Sequence, residues 1–542
     1  MSKLKKNIIY NTIGQLTTIL LGFFAIKYIY GKLGADVLGI IFFTTVIGTF
    51  LNTALDFGVT STTMREVASY HKTEPKYIHR LIQTGSLFYW TIFVLLGLLI
   101  YIFSPIIVEN WINLTSLNHE TAVRMLRILG IAAILVIPKS LYFGIFNGIE
   151  RMDYTNSIEV AVTAIRQLSI ILVLLLGSKN LFHVIYLYAL SYILLIISYF
   201  ISTLRFFPMT AMIPGFSISV IKRNINFATK MTLQTVVMTV YQKIDKLLIS
   251  KLMPIGILGY YSFAYSNVGK ALFFQNSIAK AAFPSLCSLY GRKEYNLLKS
   301  QYNKLQDVIT FSIVPILASI PFFALPFFTY IFDSEVANLL HLPVALIAFG
   351  FFLNGTIRMP QLFATVINKP EITVKANFYS LFIVLPATGL LIYKYGLVGA
   401  GIAYVFRILF HYAYTIPKYY RKCLDIPVRN FYLHLSRLLL LIAGSYLATW
   451  LILVWFGDLI LPLLIASYIV ASILYLIGGY FLFGDIIRQR FLSLFLSKSG
   501  FFKNKSVEEI QPIKIDISRE FKDIDTDQTM GNIVQKNSNK IF

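Results

Sequence analysis

Apolar stretches long enough to cross a lipid bilayer follow one another along most of the chain, and they constrain the fold more than any other feature. A transmembrane helix needs about 20 consecutive, mostly apolar residues. Of the 542 residues, 57% are hydrophobic and 13% are charged, whereas a soluble domain carries about 25% charged residues. The sequence therefore predicts an all-α polytopic membrane protein, and the apolar content suffices for about 14 transmembrane helices.

The predicted spans are separated by short polar loops, and their boundaries follow the apolar periodicity. The seventh span is the weakest, because Lys230, Gln234 and Asp245 interrupt it. The predicted spans are 8–26, 37–55, 82–103, 125–147, 158–177, 182–203, 225–249, 257–284, 308–331, 343–367, 376–393, 397–416, 438–456 and 460–483.

Basic residues are distributed unequally between alternate loops. The loops on the side of the N-terminus hold 22 Lys and Arg residues, and the loops on the other side hold 6. Cytoplasmic loops of membrane proteins are enriched in these residues, so we predict that both termini are cytoplasmic. The same rule accounts for most of the formal net charge of +23, and no nucleic-acid partner is needed to explain it. The two cysteines, Cys287 and Cys423, lie in or beside the predicted cytoplasmic loops, where thiols stay reduced.

An internal repeat relates the first twelve spans. Residues of the first half recur in the second half at a nearly constant offset of 219 to 221 positions, and this constancy over about 150 residues is hard to obtain by chance. The matched pairs are Asn7 with Asn226, Gln15 with Gln234, Lys27 with Lys246, Lys32 with Lys251, Leu33 with Leu252, Leu38-Gly39 with Leu258-Gly259, Asn147 with Asn368, Glu150 with Glu371, and Asn156 with Asn377.

Six spans per repeat give both halves the same orientation, so a pseudo-twofold axis along the membrane normal should relate them. We expect two parallel six-helix lobes, residues 1–206 and 207–424, followed by two extra transmembrane helices in 425–484 and a partly disordered cytoplasmic tail in 485–542. Such two-lobed bundles hold a cavity between the lobes, where alternating access operates. A duplicated bundle without transport activity is the alternative.

Polar residues form stripes on one face of several predicted spans. Ionisable residues inside a membrane are costly and usually face a cavity or a partner, although a single polar residue more often connects two helices. The basic members predict a cationic, hydrated cavity, and the planar fork of arginine suits phosphate. Lys27, Lys243 and Lys246 lie near span ends and are expected to be interfacial anchors. The predicted substrate-binding residues are Arg358, Arg407, Lys270, Arg166, Lys139, Lys230 and Lys280, and the polar or ion-coupling candidates are Gln15, Gln234, Asp245, Glu159, Asn354, Gln361 and His411.

Motifs for enzyme chemistry are not found in the sequence. No phosphate-binding loop of the G-x-x-x-x-G-K-[ST] type occurs. The seven histidines are scattered, and no His, Cys or Glu cluster has the spacing of a metal site. We therefore expect no enzyme activity, no cofactor and no metal.

Several segments resemble the polysaccharide-transporter branch of the multidrug/oligosaccharidyl-lipid/polysaccharide exporter superfamily, whose members include the O-antigen and capsule repeat-unit flippases. These segments are Tyr241–Tyr261 with the following Phe283-Pro284 step, Asp56-Phe57-Gly58 with Arg65, and Asn377–Tyr404. The resemblance extends to about residue 485 and implies a MATE-like fold in the bacterial inner membrane. It also implies transport of an undecaprenyl-pyrophosphate-linked oligosaccharide, coupled to H⁺ or Na⁺, beside polysaccharide polymerase and chain-length proteins.

Three other functions compete with this interpretation. A lipid II-type flippase of peptidoglycan synthesis would share fourteen spans and a cationic cavity. A multidrug exporter of the same superfamily transports mostly cations, which a Lys- and Arg-rich cavity repels. A polysaccharide polymerase or ligase would need a sizeable outer loop, whereas the longest predicted outer loop, 104–124, has about 20 residues.

Overall fold

The computed structural model describes residues 3–456 and 460–482, with side chains from residue 14 onward except at positions 15, 16, 230, 233, 234, 273, 274, 277, 280, 281, 284 and 456. Within these ranges the backbone is helical, with no strand and one isolated bridge between Asn113 and Pro254. The predicted all-α class is therefore confirmed. The predicted tail, 485–542, lies outside the described residues.

The first half of the chain contributes eight helices. They are α1 (Lys3–Leu33), α2 (Ala35–Ala54), α3 (Val59–Tyr70), α4 (Pro75–Trp111), α5 (His119–Ala133), α6 (Val136–Gly148), α7 (Met152–Leu175) and α8 (Leu181–Thr203). The predicted span 125–147 is broken at Ile134 and Leu135, and Pro138 lies in the first turn of α6, where its missing N–H is tolerated.

The second half and the C-terminal segment contribute ten more helices and two π-helical turns. The second half holds α9 (Met209–Met212), α10 (Ile218–Leu252), α11 (Ile255–Lys270), α12 (Phe273–Gly291), α13 (Tyr295–Ile331), α14 (Ser334–Val366) and α15 (Glu371–Tyr419), which ends in the turn Tyr420–Leu424. The C-terminal segment holds α16 (Val428–Ile442), the turn Ala443–Leu447, α17 (Ala448–Phe456) and α18 (Leu461–Leu482).

Ten helical stretches of the described chain are long and apolar enough to cross a membrane. One of them, Glu371–Leu424, holds both predicted spans 376–393 and 397–416, which are separated by the non-helical backbone of Gly396 (φ 58°, ψ −133°). The predicted spans 8–26, 225–249 and 257–284 lie in α1, α10 and the α11–α12 pair, outside those ten. The chain is thus a multi-pass membrane protein, and the total of fourteen spans stays a prediction.

Many of the helix pairs that pack together belong to the same half of the chain. In the first half α1 packs on α7, α3 on α6 and α5 on α8, and in the second half α13 packs on α14 while α15 contacts both α10 and α14. Gly177 and Gly396, whose φ angles are 91° and 58°, are 219 residues apart, which equals the offset of the sequence repeat. The C-terminal α18 packs on α13, where the Tyr475 hydroxyl donates to the Phe311 carbonyl at 3.0 Å.

The two halves meet along α2, which packs against α10 and α11. Near the N-terminal end of α2 the backbones touch: a Cβ added at Gly39 would lie 2.2 Å from the Ile255 carbonyl oxygen. Beyond the C-terminal end, Arg65 Nη2 of α3 donates to Asn224 Oδ1 of α10 at 3.0 Å, and the Arg223 guanidinium lies 3.6 Å from the Glu66 carboxylate. The two halves are therefore joined by contacts near both ends of α2.

Candidate functional site

A polar cavity of about 570 Å³ lies within the second half of the chain, between α10, α11, α14 and α15. We call it the second-half cavity. It brings together five of the sequence-predicted residues and two lysines that were expected to be interfacial anchors. The predicted members are Asn354, Arg358, Gln361, Arg407 and His411, and the two lysines are Lys243 and Lys246.

Helix periodicity explains why these residues converge. Asn354, Arg358 and Gln361 are spaced by four and three positions on α14, which places them on one face of the helix. Arg407 and His411 are four positions apart on α15, and they share a face in the same way. The polar faces of α14 and α15 therefore line the same cavity.

Arg407 is held in a shell of tyrosines. Its side chain is 5% exposed, and Nη1 donates a hydrogen bond of 2.7 Å to the carbonyl oxygen of Tyr241. The guanidinium carbon lies 4.8 Å from the ring centre of Tyr241 and 4.5 Å from that of Tyr404, distances typical of cation–π contacts. Arg407 is thus fixed by the protein itself, with one edge facing the cavity.

Arg358 is bound less tightly by its surroundings. It is half-buried, and within the described part of the chain its Nε atom is buried without a hydrogen-bond partner. The same holds for Arg407 Nε and for His411 Nε2, since no described residue accepts from or donates to them. Because buried polar atoms are normally satisfied, unpaired donors around a cavity indicate a place where water or an anionic ligand is bound.

On α10, the cavity-lining Lys246 is preceded by an acid, Asp245, which is not part of the lining. Asp245 is buried, and its Oδ2 accepts from the Tyr261 hydroxyl at 2.7 Å, whereas Oδ1 has no partner among the described residues. Its neighbour Lys246 is 5% exposed and lies 4.3 Å from the ring centre of Tyr265. Asp245 is close enough to Arg407 to interact with it electrostatically. The two residues lie on different helices, so the charge pattern of either helix alone does not predict this interaction.

A second polar cavity, of about 250 Å³, lies where the halves meet, between α1, α2, α7, α8 and α11. We call it the junction cavity. Arg166 and Lys270 line it, so the structure brings together two more of the predicted basic residues. Gln167 and Tyr188 also line it, and these two were not singled out in the sequence, because an amide and a tyrosine give no distinctive signal in a tyrosine-rich chain.

The remaining predicted residues lie elsewhere or outside the described side chains. Lys139 and Glu159 line neither polar cavity, and they pair with each other at 2.7 Å, with the Tyr199 hydroxyl donating to the same carboxylate at 3.3 Å. Their charges are therefore balanced locally. The side chains of Gln15, Lys230, Gln234 and Lys280 lie outside the described residues.

An apolar groove of about 570 Å³ separates the second half from the C-terminal helices. Its walls come from α13, α14, α16, the π-helical turn Ala443–Leu447 and α17. Phe349 and Phe352 of α14 line this groove, while Phe351 and Asn354 of the same helix line the second-half cavity. The apolar groove and the second-half cavity therefore lie on different faces of α14.

A helical bundle that crosses the membrane several times and encloses polar cavities has the architecture of a membrane transporter. The chain matches the model of the polysaccharide biosynthesis protein family over residues 4–289, more than half of its length, and it belongs to that family. It is also 22% identical over 422 residues to the "Putative O-antigen transporter" of Shigella flexneri, covering 77% of this chain and 98% of the relative.

Two solved structures show the same fold. The lipid II flippase MurJ in an inward closed conformation superposes with a TM-score of 0.69 and 16% identity, over 89% of this chain and 100% of that one. An inward-facing multidrug resistance MATE family transporter of the MOP superfamily gives a TM-score of 0.60 and 15% identity, over 74% and 94%. These relatives are transporters and a flippase, not enzymes, which agrees with the prediction from the motifs.

Proposed function

We propose that this protein is a flippase that moves undecaprenyl-pyrophosphate-linked oligosaccharide repeat units across the bacterial inner membrane during surface polysaccharide synthesis. The observation that carries the proposal is the second-half cavity, in which Arg358 and Arg407 present buried guanidinium nitrogens that no described residue accepts from. O-antigen, capsule or exopolysaccharide precursors are all substrates of this chemical class.

The cavity chemistry suits a pyrophosphate. Arginine donates two parallel hydrogen bonds to a phosphate group, and such charge-assisted bonds are about twice as strong as neutral ones. Arg407 is oriented by Tyr241 and Tyr404, so little side-chain entropy is lost when an anion binds. A cavity that contains Arg358, Arg407 and Lys246 also disfavours the cationic substrates of a multidrug exporter.

The apolar groove offers a place for the lipid part of the substrate. Its lining is built mostly from Leu, Ala, Phe and Ile side chains, with His341, Tyr446 and Trp450 as its polar-edged members. The groove lies on α14, the helix that also carries Arg358. We propose that the polyprenyl chain lies in this groove while its pyrophosphate enters the second-half cavity.

Alternating access would proceed between the halves 1–206 and 207–424, and α16–α18 would move with the second half. Both termini would lie in the cytoplasm. Polysaccharide polymerase and chain-length proteins would receive the transported repeat units. Coupling to H⁺ or Na⁺ would involve Asp245, whose buried Oδ1 has no hydrogen-bond partner among the described residues and whose carboxylate interacts electrostatically with Arg407. A carboxylate that is neutralised by a proton or a sodium ion weakens its hold on Arg407, and this links the ion to the anion site.

The test is deletion of the gene in the bacterium that carries it. Loss of surface polysaccharide together with accumulation of the lipid-linked oligosaccharide on the cytoplasmic leaflet, both reversed by the plasmid-borne gene, is expected for a flippase. A polymerase defect would instead leave single repeat units on the outer surface. Unchanged polysaccharide with increased drug sensitivity would contradict the proposal and favour a multidrug exporter.

A further inference from the structure

The basic residues of the two cavities belong to separate sites. Arg358, Arg407 and Lys246 line the second-half cavity, whereas Arg166 and Lys270 line the junction cavity. Ser266 of α11 is the one residue common to both linings, so this helix is a wall between them. All described walls of the second-half cavity come from the second half of the chain, and most walls of the junction cavity come from the first half.

Arg166 is built into the junction cavity but has no anionic partner. Its guanidinium carbon lies 5.0 Å from the ring centre of Tyr188, and its buried Nε atom has no hydrogen-bond partner among the described residues. Next to it, the buried Gln167 Oε1 also lacks a described partner. Gln167 is pressed against α1, because a Cβ added at Gly22 would lie 3.1 Å from its Nε2 atom.

Lys270 approaches the same cavity from α11. Its ammonium donates to Asn267 Oδ1 at 2.7 Å, a neutral acceptor, and lies 5.7 Å from the ring centre of Phe23. Among the described residues, neither Lys270 nor Arg166 forms an ion pair within 4.0 Å. The junction cavity thus holds two cations whose charge the described protein does not balance, and for the half-buried Arg166 an uncompensated charge inside the membrane is costly.

A single pyrophosphate accounts for only one of the two sites. Pyrophosphate is a compact group, and the arginine and lysine donors of the second-half cavity suffice to bind it. The junction cavity is smaller, about 250 Å³, below the roughly 300–1,000 Å³ of sites for drug-sized ligands. This size suits one sugar ring, and the aromatic side chains Phe23 and Tyr188 offer apolar faces on which such a ring can stack.

We infer that the junction cavity binds an acidic sugar of the transported repeat unit, with the sugar carboxylate between Arg166 and Lys270 and a ring hydroxyl donating to Gln167. The inference rests on the proposed function, because it assigns the oligosaccharide to one cavity and the pyrophosphate to the other. The planar guanidinium of Arg166 matches a carboxylate with two parallel hydrogen bonds. Transport would then select repeat units that contain a uronic acid.

The experiment measures the binding of three small probes to the purified full-length chain in detergent. The probes are a disaccharide of glucuronic acid and glucose, the neutral disaccharide cellobiose, and inorganic pyrophosphate. The acidic disaccharide should bind more tightly than cellobiose to the wild type. In Arg166→Gln its Kd should rise about tenfold or more, the usual loss when one partner of a charge-assisted hydrogen bond is removed, while Arg358→Gln should leave it unchanged.

Pyrophosphate provides the reciprocal measurement and the folding control. Its Kd should rise in Arg358→Gln and stay unchanged in Arg166→Gln, which also shows that the latter variant is folded. Lys270→Gln, at an exposed position, gives a second variant if Arg166→Gln does not fold, with the same loss of acidic-disaccharide affinity expected.

Two results would overturn the inference. Equal binding of the acidic disaccharide and cellobiose would show that the junction cavity does not recognise a carboxylate. Equal weakening of pyrophosphate binding by Arg166→Gln and Arg358→Gln would show that both cavities serve one diphosphate. Absence of pyrophosphate binding to the wild type, with Arg166-dependent binding of the acidic disaccharide, would support the inference and contradict the proposed pyrophosphate site instead.

Discussion

Replacing Arg358 by alanine tests the anion site with little disturbance of the fold. Arg358 is half-buried in the second-half cavity, and its Nε atom makes no hydrogen bond to a described residue. The substitution therefore removes no described hydrogen bond of that atom, and we expect a loss of about 1 kcal/mol in the free energy of unfolding, typical of point substitutions. The amount of protein in the membrane should stay near the wild-type level.

The effect on transport should be much larger. A hydrogen bond to a charged group contributes about 1.5–3 kcal/mol, and removal of the guanidinium eliminates up to two of them. With about 1.4 kcal/mol per tenfold change in affinity, a loss of roughly 3 kcal/mol corresponds to about 100-fold weaker binding of the pyrophosphate. Arg358→Lys should retain part of the activity, because it keeps the charge but loses the planar fork.

The assay compares surface polysaccharide with protein level in a strain whose chromosomal copy is deleted. Quantitative immunoblotting of membranes gives the protein level, and the matched control is Arg151→Ala. Arg151 pairs with Asp153 at 2.9 Å, and both side chains are more than 40% exposed, so the pair contributes about 0–1 kcal/mol. We expect the control to export normally. If Arg358→Ala exports polysaccharide at the wild-type rate and protein level, the argument for a cationic anion site is refuted.

Three further outcomes follow from the structure. Arg407→Ala should lower the membrane protein level and export together, because it removes a buried hydrogen bond to the Tyr241 carbonyl and two cation–π contacts, a loss of about 3 kcal/mol; a normal level on immunoblots would contradict this. Gly39→Val should lower the thermal unfolding temperature, since even a Cβ there lies 2.2 Å from a backbone oxygen of α11, while Gly97→Ala, with no atom within 4 Å, should not. In a cysteine-free background, Lys76→Cys and Lys293→Cys should react with a membrane-impermeant thiol reagent only from the cytoplasmic side, and labelling in intact cells would overturn the predicted topology.

Most of the fold could be predicted from the sequence, because length and apolar periodicity determine where a helix can cross a bilayer. The loop predicted between spans 376–393 and 397–416 falls at Gly396, whose φ of 58° and ψ of −133° are not helical and divide α15 into two helices. The short helix α3 (Val59–Tyr70), in contrast, was not predicted. It has few apolar residues, and its position depends on packing against α6 and on the Arg65–Asn224 hydrogen bond.

The site was predicted only in part, for a related reason. Helix spacing correctly places Asn354, Arg358 and Gln361 on one face of α14, because that relation is local. Which faces of different helices meet depends on the packing of the whole bundle. The pairing of Lys139 with Glu159 and the electrostatic interaction of Asp245 with Arg407 join different helices in this way, and no spacing rule within one helix reveals them.

The unpaired cations of the two cavities have a consequence for the transport cycle. Closing an empty cavity around Arg358, or around Arg166 and Lys270, would strip water from positive charges that no described carboxylate balances, and this desolvation is costly. Closing the same cavities around an anionic cargo neutralises the charges. The loaded and empty carriers therefore face unequal barriers, and we expect the empty carrier to return slowly unless small anions such as chloride fill its sites. In the proposed transport cycle, electrostatics alone would suppress futile cycling without cargo, and the rate of resetting should depend on the salt that surrounds the membrane.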